Sequence, residues 1–292
     1  MKNFNIKRFG QALKCHFLVS QKAWIRIFGI YTLVLFFANL FFTRVECMRY
    51  STMVEFYQGE ELISQYSTVV KDTTPFFMIF FYIAMLFGAS SLFSQMKDTR
   101  KRSAYLLWPV SNCEKYIISL LHSVVLMAVV TIVSIIAADA LRILTDAITG
   151  RVIVWGVPLY VDFLSDDLEW QKLLLVATWM FYYHSLYIVG GTLFRRLQFL
   201  PTSAIIIIAT ILLAIIIKQT GLDKIDYHFL EYQQDKMYQL SNGETFYTYR
   251  TIYNPRFYFA LLGGWFVIAA HYWASFKLFC RIQVINNKWL NV

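Results

Sequence analysis

With 292 residues the chain is long enough for two ordinary soluble domains, yet 58% of it is hydrophobic, 18% aromatic and only 15% charged. A water-soluble globule carries charge on about a quarter of its residues, so this composition, with a mean hydropathy of +0.50, excludes a cytosolic enzyme, a secreted disulfide scaffold and a disordered chain. The net charge of +9 would suggest nucleic acid in a soluble protein; in a membrane protein its distribution along the chain is what carries information.

The chain begins with a basic stretch, 1–23, in which Phe4, Ile6, Phe9, Leu13 and Phe17 recur at spacings of two to four, with Lys7, Gln11 and Lys14 on another face. This pattern predicts an amphipathic helix on the cytoplasmic surface, its lysines drawn to anionic headgroups. The first apolar block follows at 24–43. It is too long for a signal-peptide core and has no small-x-small site behind it, so it is expected to remain as an anchor.

Five further apolar blocks, 73–95, 116–138, 171–194, 200–217 and 257–279, are each long enough to cross a hydrocarbon core of about 30 Å, which takes about 20 helical residues. Pro75, Pro201 and Pro255 fall at or near their starts, where a missing N–H costs little. Thr74 and Asn254 are the expected N-caps beside two of those prolines. The fold class is therefore all-α, with six spans in a single transmembrane domain. Lysine and arginine concentrate on one set of alternating loops and both chain ends, and acidic residues concentrate on the other set. By the positive-inside rule both termini are cytoplasmic, most simply in a bacterial inner membrane. Cys15, Cys113 and Cys280 then lie at the cytoplasmic side and Cys47 alone outside, so no intrachain disulfide is expected.

The cytoplasmic loop 96–114 carries the basic cluster Lys97, Arg100, Lys101 and Arg102, then the apolar run Tyr105-Leu106-Leu107-Trp108-Pro109-Val110. Ser111 and Glu114 next form a Ser-x-x-Glu capping pattern that restarts helix into the third span. Apolar residues flanked by charge suit a docking surface for a soluble partner; a basic loop resting on lipid is the other reading. In the long external loop 218–256, Leu222, Ile225, Phe229 and Tyr232 follow helical spacing, and Tyr238, Tyr247, Tyr249 and Tyr253 add interfacial aromatics. A short amphipathic helix against the outer leaflet is expected there.

No Asp or Glu falls in the middle of a proposed span, and Arg26, Lys172 and Lys277 sit near ends where they can snorkel. That weighs against an ion-coupled carrier, which needs an intramembrane carboxylate. Zinc-helix, nucleophile-elbow and phosphate-loop motifs are missing from the sequence, so the chain is not expected to be an enzyme, and any ATP it uses is hydrolysed on another polypeptide. His122, His184 and His271 each fall about 10–15 Å deep from the same face at about 1.5 Å per residue. They read either as a polar pathway or as three separate interhelical hydrogen bonds. Gly190-Gly191, Gly263-Gly264, the Ala260/Gly264 pair and the run from Gly88 to Ser91 allow close helix approach.

This layout resembles the membrane-spanning subunits of ABC exporters of type 2: an N-terminal connector helix, six spans, a coupling loop after the second and a longer external segment between the fifth and sixth. The stretch Leu106-Leu107-Trp108-Pro109-Val110-Ser111 with Glu114 is similar to that family's leucine-rich run ending in Pro-Val-Ser and a downstream Glu. The chain departs from the family pattern in having Arg102-Ser103 where Gly-Thr is common, and Ser119 where a lysine is common. The resemblance implies a permease that dimerises with a second permease copy and docks a separate P-loop ATPase, which would supply ATP and magnesium. It implies a coupling surface of Arg100, Lys101, Arg102, Tyr105, Leu107, Trp108, Pro109 and Glu114, and a connector helix acting through Ile6, Phe9 and Leu13. No cofactor on this chain and no nucleic acid is implied. A non-transporting membrane scaffold and an unrecognised membrane enzyme remain the alternative functions.

Overall fold

Uncharged runs of this length satisfy their backbone polar groups internally in the absence of water, and a helix does so within one segment. In the computed structural model, residues 4–46, 57–93, 103, 105, 107–165, 170–194, 197–221, 230–239 and 245–281 are described, and six helices are long and apolar enough to span a membrane. In chain order the elements are α1 (Ile6–Glu46), α2 (Glu60–Lys71), α3 (Thr74–Ser90), α4 (Asn112–Ile148), α5 (Gly156–Ser165), α6 (Trp170–Leu193), α7 (Phe199–Thr220), β1 (Leu230–Gln239), β2 (Thr245–Tyr253) and α8 (Pro255–Arg281). The spanning helices are α1, α3 extended by α2, α4, α6, α7 and α8. They cover the six predicted apolar blocks except for the end of the second, where helix stops at Ser90 and residues beyond Phe93 lie outside the described ones, and the last residue of the fourth, Phe194.

Three expectations change. The division between a connector at 1–23 and a span at 24–43 does not correspond to a break, because α1 is one continuous helix of 41 residues, about 60 Å long at about 1.5 Å per residue. Neither Gly nor Pro between Gln11 and Phe28 interrupts its hydrogen bonding. Its protein-facing stripe is Ala12, His16, Thr32, Leu35, Asn39 and Thr43, buried at three- and four-residue intervals or multiples of them, while Ile6 and Phe17 are exposed. Second, the external loop forms an antiparallel hairpin, β1 with β2, with Leu230 opposite Tyr253 and a register shift between Gln234 and Lys236. Tyr232, expected on a helix, lies in β1; Leu222, Ile225 and Phe229 lie outside the described residues. Tyrosine recurs in both strands and threonine in β2, residue types that fit a pleated surface. Third, Thr73 rather than Thr74 is the N-cap of α3, whereas Asn254 accepts from the Arg256 N–H at the start of α8 as expected.

The bundle is built in two layers of contact. α1 packs along α4, α3 packs against both α4 and α6, and α6 is flanked by α7 and α8. α1 and α4 run parallel, since Arg8 meets Glu114 near the start of both, and Arg44 approaches Asp146 near the end of both. At 37 residues α4 is longer than a bilayer crossing needs. Its final turns enter a cap formed by α2 and α5, where Leu35, Tyr66, Val70, Phe77, Ala138, Val154 and Tyr160 make one apolar cluster.

Small residues set the approach of α3, α6 and α7. A Cβ on Gly190 would collide with Thr202, one on Gly191 would lie 2.8 Å from the Ser90 carbonyl oxygen, and one on Gly88 would lie 3.1 Å from the Met127 side chain. Gly263 differs, with nothing within 4 Å of the added atom. Gly191→Ala is therefore expected to cost about 1–3 kcal/mol through overpacking, seen as a lower melting temperature in detergent. Gly263→Ala should stay within about 0.5 kcal/mol of the parent.

Candidate functional site

The start of α4 is organised by one carboxylate. Ser111 caps the helix by accepting from the Glu114 N–H, and Glu114 Oε2 accepts from the Ser111 N–H at 2.7 Å, closing the capping box read from the sequence. The same carboxylate reaches across to α1. Its Oε1 accepts from the Asn5 N–H at 2.8 Å and from Arg8 Nη2 at 2.7 Å, and its Oε2 accepts from Arg8 Nε. Glu114 is completely buried. A carboxylate can leave water at this depth because backbone donors, a hydroxyl-capped turn and a forked guanidinium fill its lone pairs.

Around this junction the expected coupling residues separate into two groups. Tyr105 is buried, with its hydroxyl donating to the Lys115 carbonyl and shared with Ser119 Oγ, and it packs in a cluster with Phe93, Tyr116 and Phe279. Tyr105 and Glu114 are thus removed from the accessible face assigned to them, because each has internal partners that satisfy its polar atoms. Trp108 is half-buried over the His16 ring at 6.0 Å between centroids. Leu107, at 81% exposed, and Pro109 remain on the surface. Arg100, Lys101 and Arg102 lie outside the described residues. Of the connector residues, Ile6 is 76% exposed, while Phe9 and Leu13 are half-buried.

The three histidines do not converge on one another. His122 accepts a hydrogen bond from Trp24 Nε1 at 3.0 Å and lies edge-on to His16, so it faces α1. His184 is buried on α6 between Tyr272 of α8 at 2.9 Å and Ser123 of α4 at 3.5 Å. His271 bonds Ser185 at 3.0 Å on the other side of the α6–α8 contact. This is a set of interhelical hydrogen bonds of about 0.6 kcal/mol each. At His122–Leu126 the α4 hydrogen bonding widens into one π turn, a form that often marks functional positions. Within this turn His122 is bonded from Trp24 of α1 and Ser123 lies against His184 of α6.

A charged group at the far end of α4 was missing from the sequence reading. Arg142 is fully buried and donates to Asp139 Oδ1 at 2.8 Å, to Asp146 Oδ2 at 2.8 Å and to the Val154 carbonyl. Asp139 Oδ2 caps α5 by accepting from the Gly156 and Val157 N–H groups, and Tyr66 of α2 donates to Asp146 at 3.0 Å. One arginine thus holds α2, α4 and α5 together. Asp139, Arg142 and Asp146 at i, i+3 and i+7 occupy a single helix face, which was the available signal. The positions lie just past the expected span end at Ala138.

Three cysteines, Cys15, Cys113 and Cys280, are free and exposed, and Cys47 lies outside the described residues. No group of three metal-ligating side chains occurs among the described residues. Comparison with protein-family models, with curated proteins and with solved structures finds no match to this chain.

Proposed function

We propose that the chain is the permease subunit of an ATP-driven exporter of ABC type 2, dimerising in a bacterial cytoplasmic membrane with both termini inside and driven by a separate P-loop ATPase. The observation that carries this reading is the Glu114 junction. An exposed turn bearing Leu107 and Pro109 leads directly into a carboxylate that bonds the start of α4 and the start of α1 together. A push on that turn by a soluble partner would reach two parallel spanning helices through one rigid, fully hydrogen-bonded joint. The sequence on this turn, Leu107-Trp108-Pro109-Val110-Ser111, is also where the resemblance to the family is most specific.

Binding of a partner ATPase tests the reading. Leu107→Asp puts a charge at an exposed position without disturbing any buried contact. In membranes where the chain co-purifies with a P-loop ATPase and stimulates its turnover, this variant is expected to lose at least tenfold of that stimulation while remaining folded and monodisperse. If no ATPase co-purifies with the parent chain, or if Leu107→Asp stimulates as well as the parent, the exporter reading fails and a scaffold without transport takes its place.

A further inference from the structure

A cavity of about 620 Å³ opens between α1, α3 and the first turns of α4, within one copy of the chain. Its volume lies inside the range of about 300–1,000 Å³ usual for small-molecule sites. The wall is aromatic, with Trp24, Phe87, Phe93 and Trp108 around it, and among the described residues no lysine, arginine, aspartate or glutamate contributes to it. An apolar body is therefore favoured inside and a permanent cation finds no carboxylate to pair with.

Two imidazoles give the cavity a polar point. His16 is 7% exposed, lines the cavity, and its ring nitrogens bond to nothing among the described residues. Its ring meets His122 at 4.6 Å between centroids. The Trp24 indole N–H can only donate, so His122 Nε2 accepts it and the neutral His122 ring carries its proton on Nδ1. That N–H likewise has no partner among the described residues. The cavity therefore presents an unused imidazole beside an unused N–H to whatever enters it, so an occupant with a hydrogen-bonding head would find partners at both. Such a head would accept from His122 Nδ1–H and exchange a hydrogen bond with His16. A carboxyl does both with its two oxygens.

We infer that this cavity binds a hydrophobic weak acid, an amphiphile with an apolar body and a carboxyl head, with the head at His16 and His122 and the body along Trp24, Phe87 and Trp108. Val19, 77% exposed, and Phe87, 54% exposed, are apolar lining residues that also reach the outer surface of spanning helices, which suits an amphiphile arriving from the lipid phase. The site is complete in one copy and independent of any ATPase, and its test separates it from the exporter reading.

The experiment uses the purified full chain in lipid nanodiscs without an ATPase, labelled by a diazirine-bearing C16 fatty acid and by the diazirine alkane of equal length, with crosslinks mapped by mass spectrometry. Labelling by the acid is expected to concentrate on 15–27 and 119–127. It should exceed labelling by the alkane there by about tenfold, the ratio that two hydrogen bonds to the head provide. The double variant His16→Leu, His122→Leu keeps an apolar filling and should bring the acid down to the level of the alkane while alkane labelling persists. Ser91→Trp, which fills the cavity, should abolish both at these residues but leave labelling of the lipid-facing side of α7 unchanged. Equal labelling by acid and alkane in the parent chain, or an acid preference that survives the double histidine variant, overturns the assignment.

Discussion

Replacing Arg142 with leucine is expected to cost about 3–5 kcal/mol, the largest loss for any single change in this chain, because it strands two buried carboxylates. Asp139 and Asp146 each take a hydrogen bond of 2.8 Å from the guanidinium, and all three side chains are at most 2% exposed. Asp139 would retain the α5 N–H groups and Asp146 would retain Tyr66, but among the described residues Asp139 would have no counter-charge and Asp146 only the partly exposed Arg44 at 4.0 Å. The variant should lose its monodisperse peak on size exclusion and melt well below the parent in detergent. A triple variant that also carries Asp139→Asn and Asp146→Asn should recover most of the loss. Neutral groups keep the α5 cap and the Tyr66 contact without a buried charge, and replacing a whole buried ion network by neutral groups is often tolerated. Failure of the triple variant to recover would mean that geometry, not charge balance, is what the triad supplies.

The second large effect belongs to Glu114. Glu114→Ala removes the acceptor of four donors, from Asn5, Arg8 and Ser111, and is expected to cost about 2–4 kcal/mol, combining a lost capping box with lost charge-assisted bonds. Arg8→Met should cost about 1 kcal/mol, because Arg8 is partly in solvent and Glu114 keeps its two backbone donors. The order matters more than the sizes. Limited trypsin digestion should expose the bonds after Lys7 and Lys14 in Glu114→Ala far more than in Arg8→Met. In the exporter reading both variants should bind the ATPase through Leu107 yet stimulate it less, since the turn remains and only its link to α1 is cut. A Glu114→Ala chain as protease-resistant as the parent would remove the junction from the account.

The spanning segments were legible because the bilayer allows only one answer to a long uncharged run. The expected block 171–194 and the observed Trp170–Leu193 differ by one residue at each end. The capping box was legible for a similar reason, since Ser111 and Glu114 are local to each other and their pairing needs no knowledge of the fold. What Glu114 does beyond the box was not legible. Its partners Asn5 and Arg8 are more than a hundred residues away in sequence, and nothing in a Ser-x-x-Glu pattern announces a second helix. The Arg142 triad shows the same limit: its helix-face spacing was visible, but burial came from α2 and α5, which were read as parts of loops. The hairpin was misread because helical spacing at Leu222, Ile225, Phe229 and Tyr232 was weighed ahead of the Thr245–Tyr253 run of aromatics and threonines and the Asn242-Gly243 pair before it, a common signature of a tight turn between strands.

α7 has a grip unlike its neighbours. Thr202 in its first turn is its one buried residue, Ser203 bonds Tyr187, and Gln198 just before it bonds the Gly191 carbonyl. Beyond that point Ile205, Ile208, Leu212, Ile215 and Ile216 all face away from protein. A 22-residue helix is about 33 Å long, close to the thickness of a hydrocarbon core. Held by its first two turns, where Ile206 also packs against the cluster around Leu86 and Ile188, and exposed along most of the rest, α7 has few protein contacts to oppose a change of tilt. Thinner or thicker membranes should therefore be accommodated first by this helix, which makes it the chain's gauge of bilayer depth.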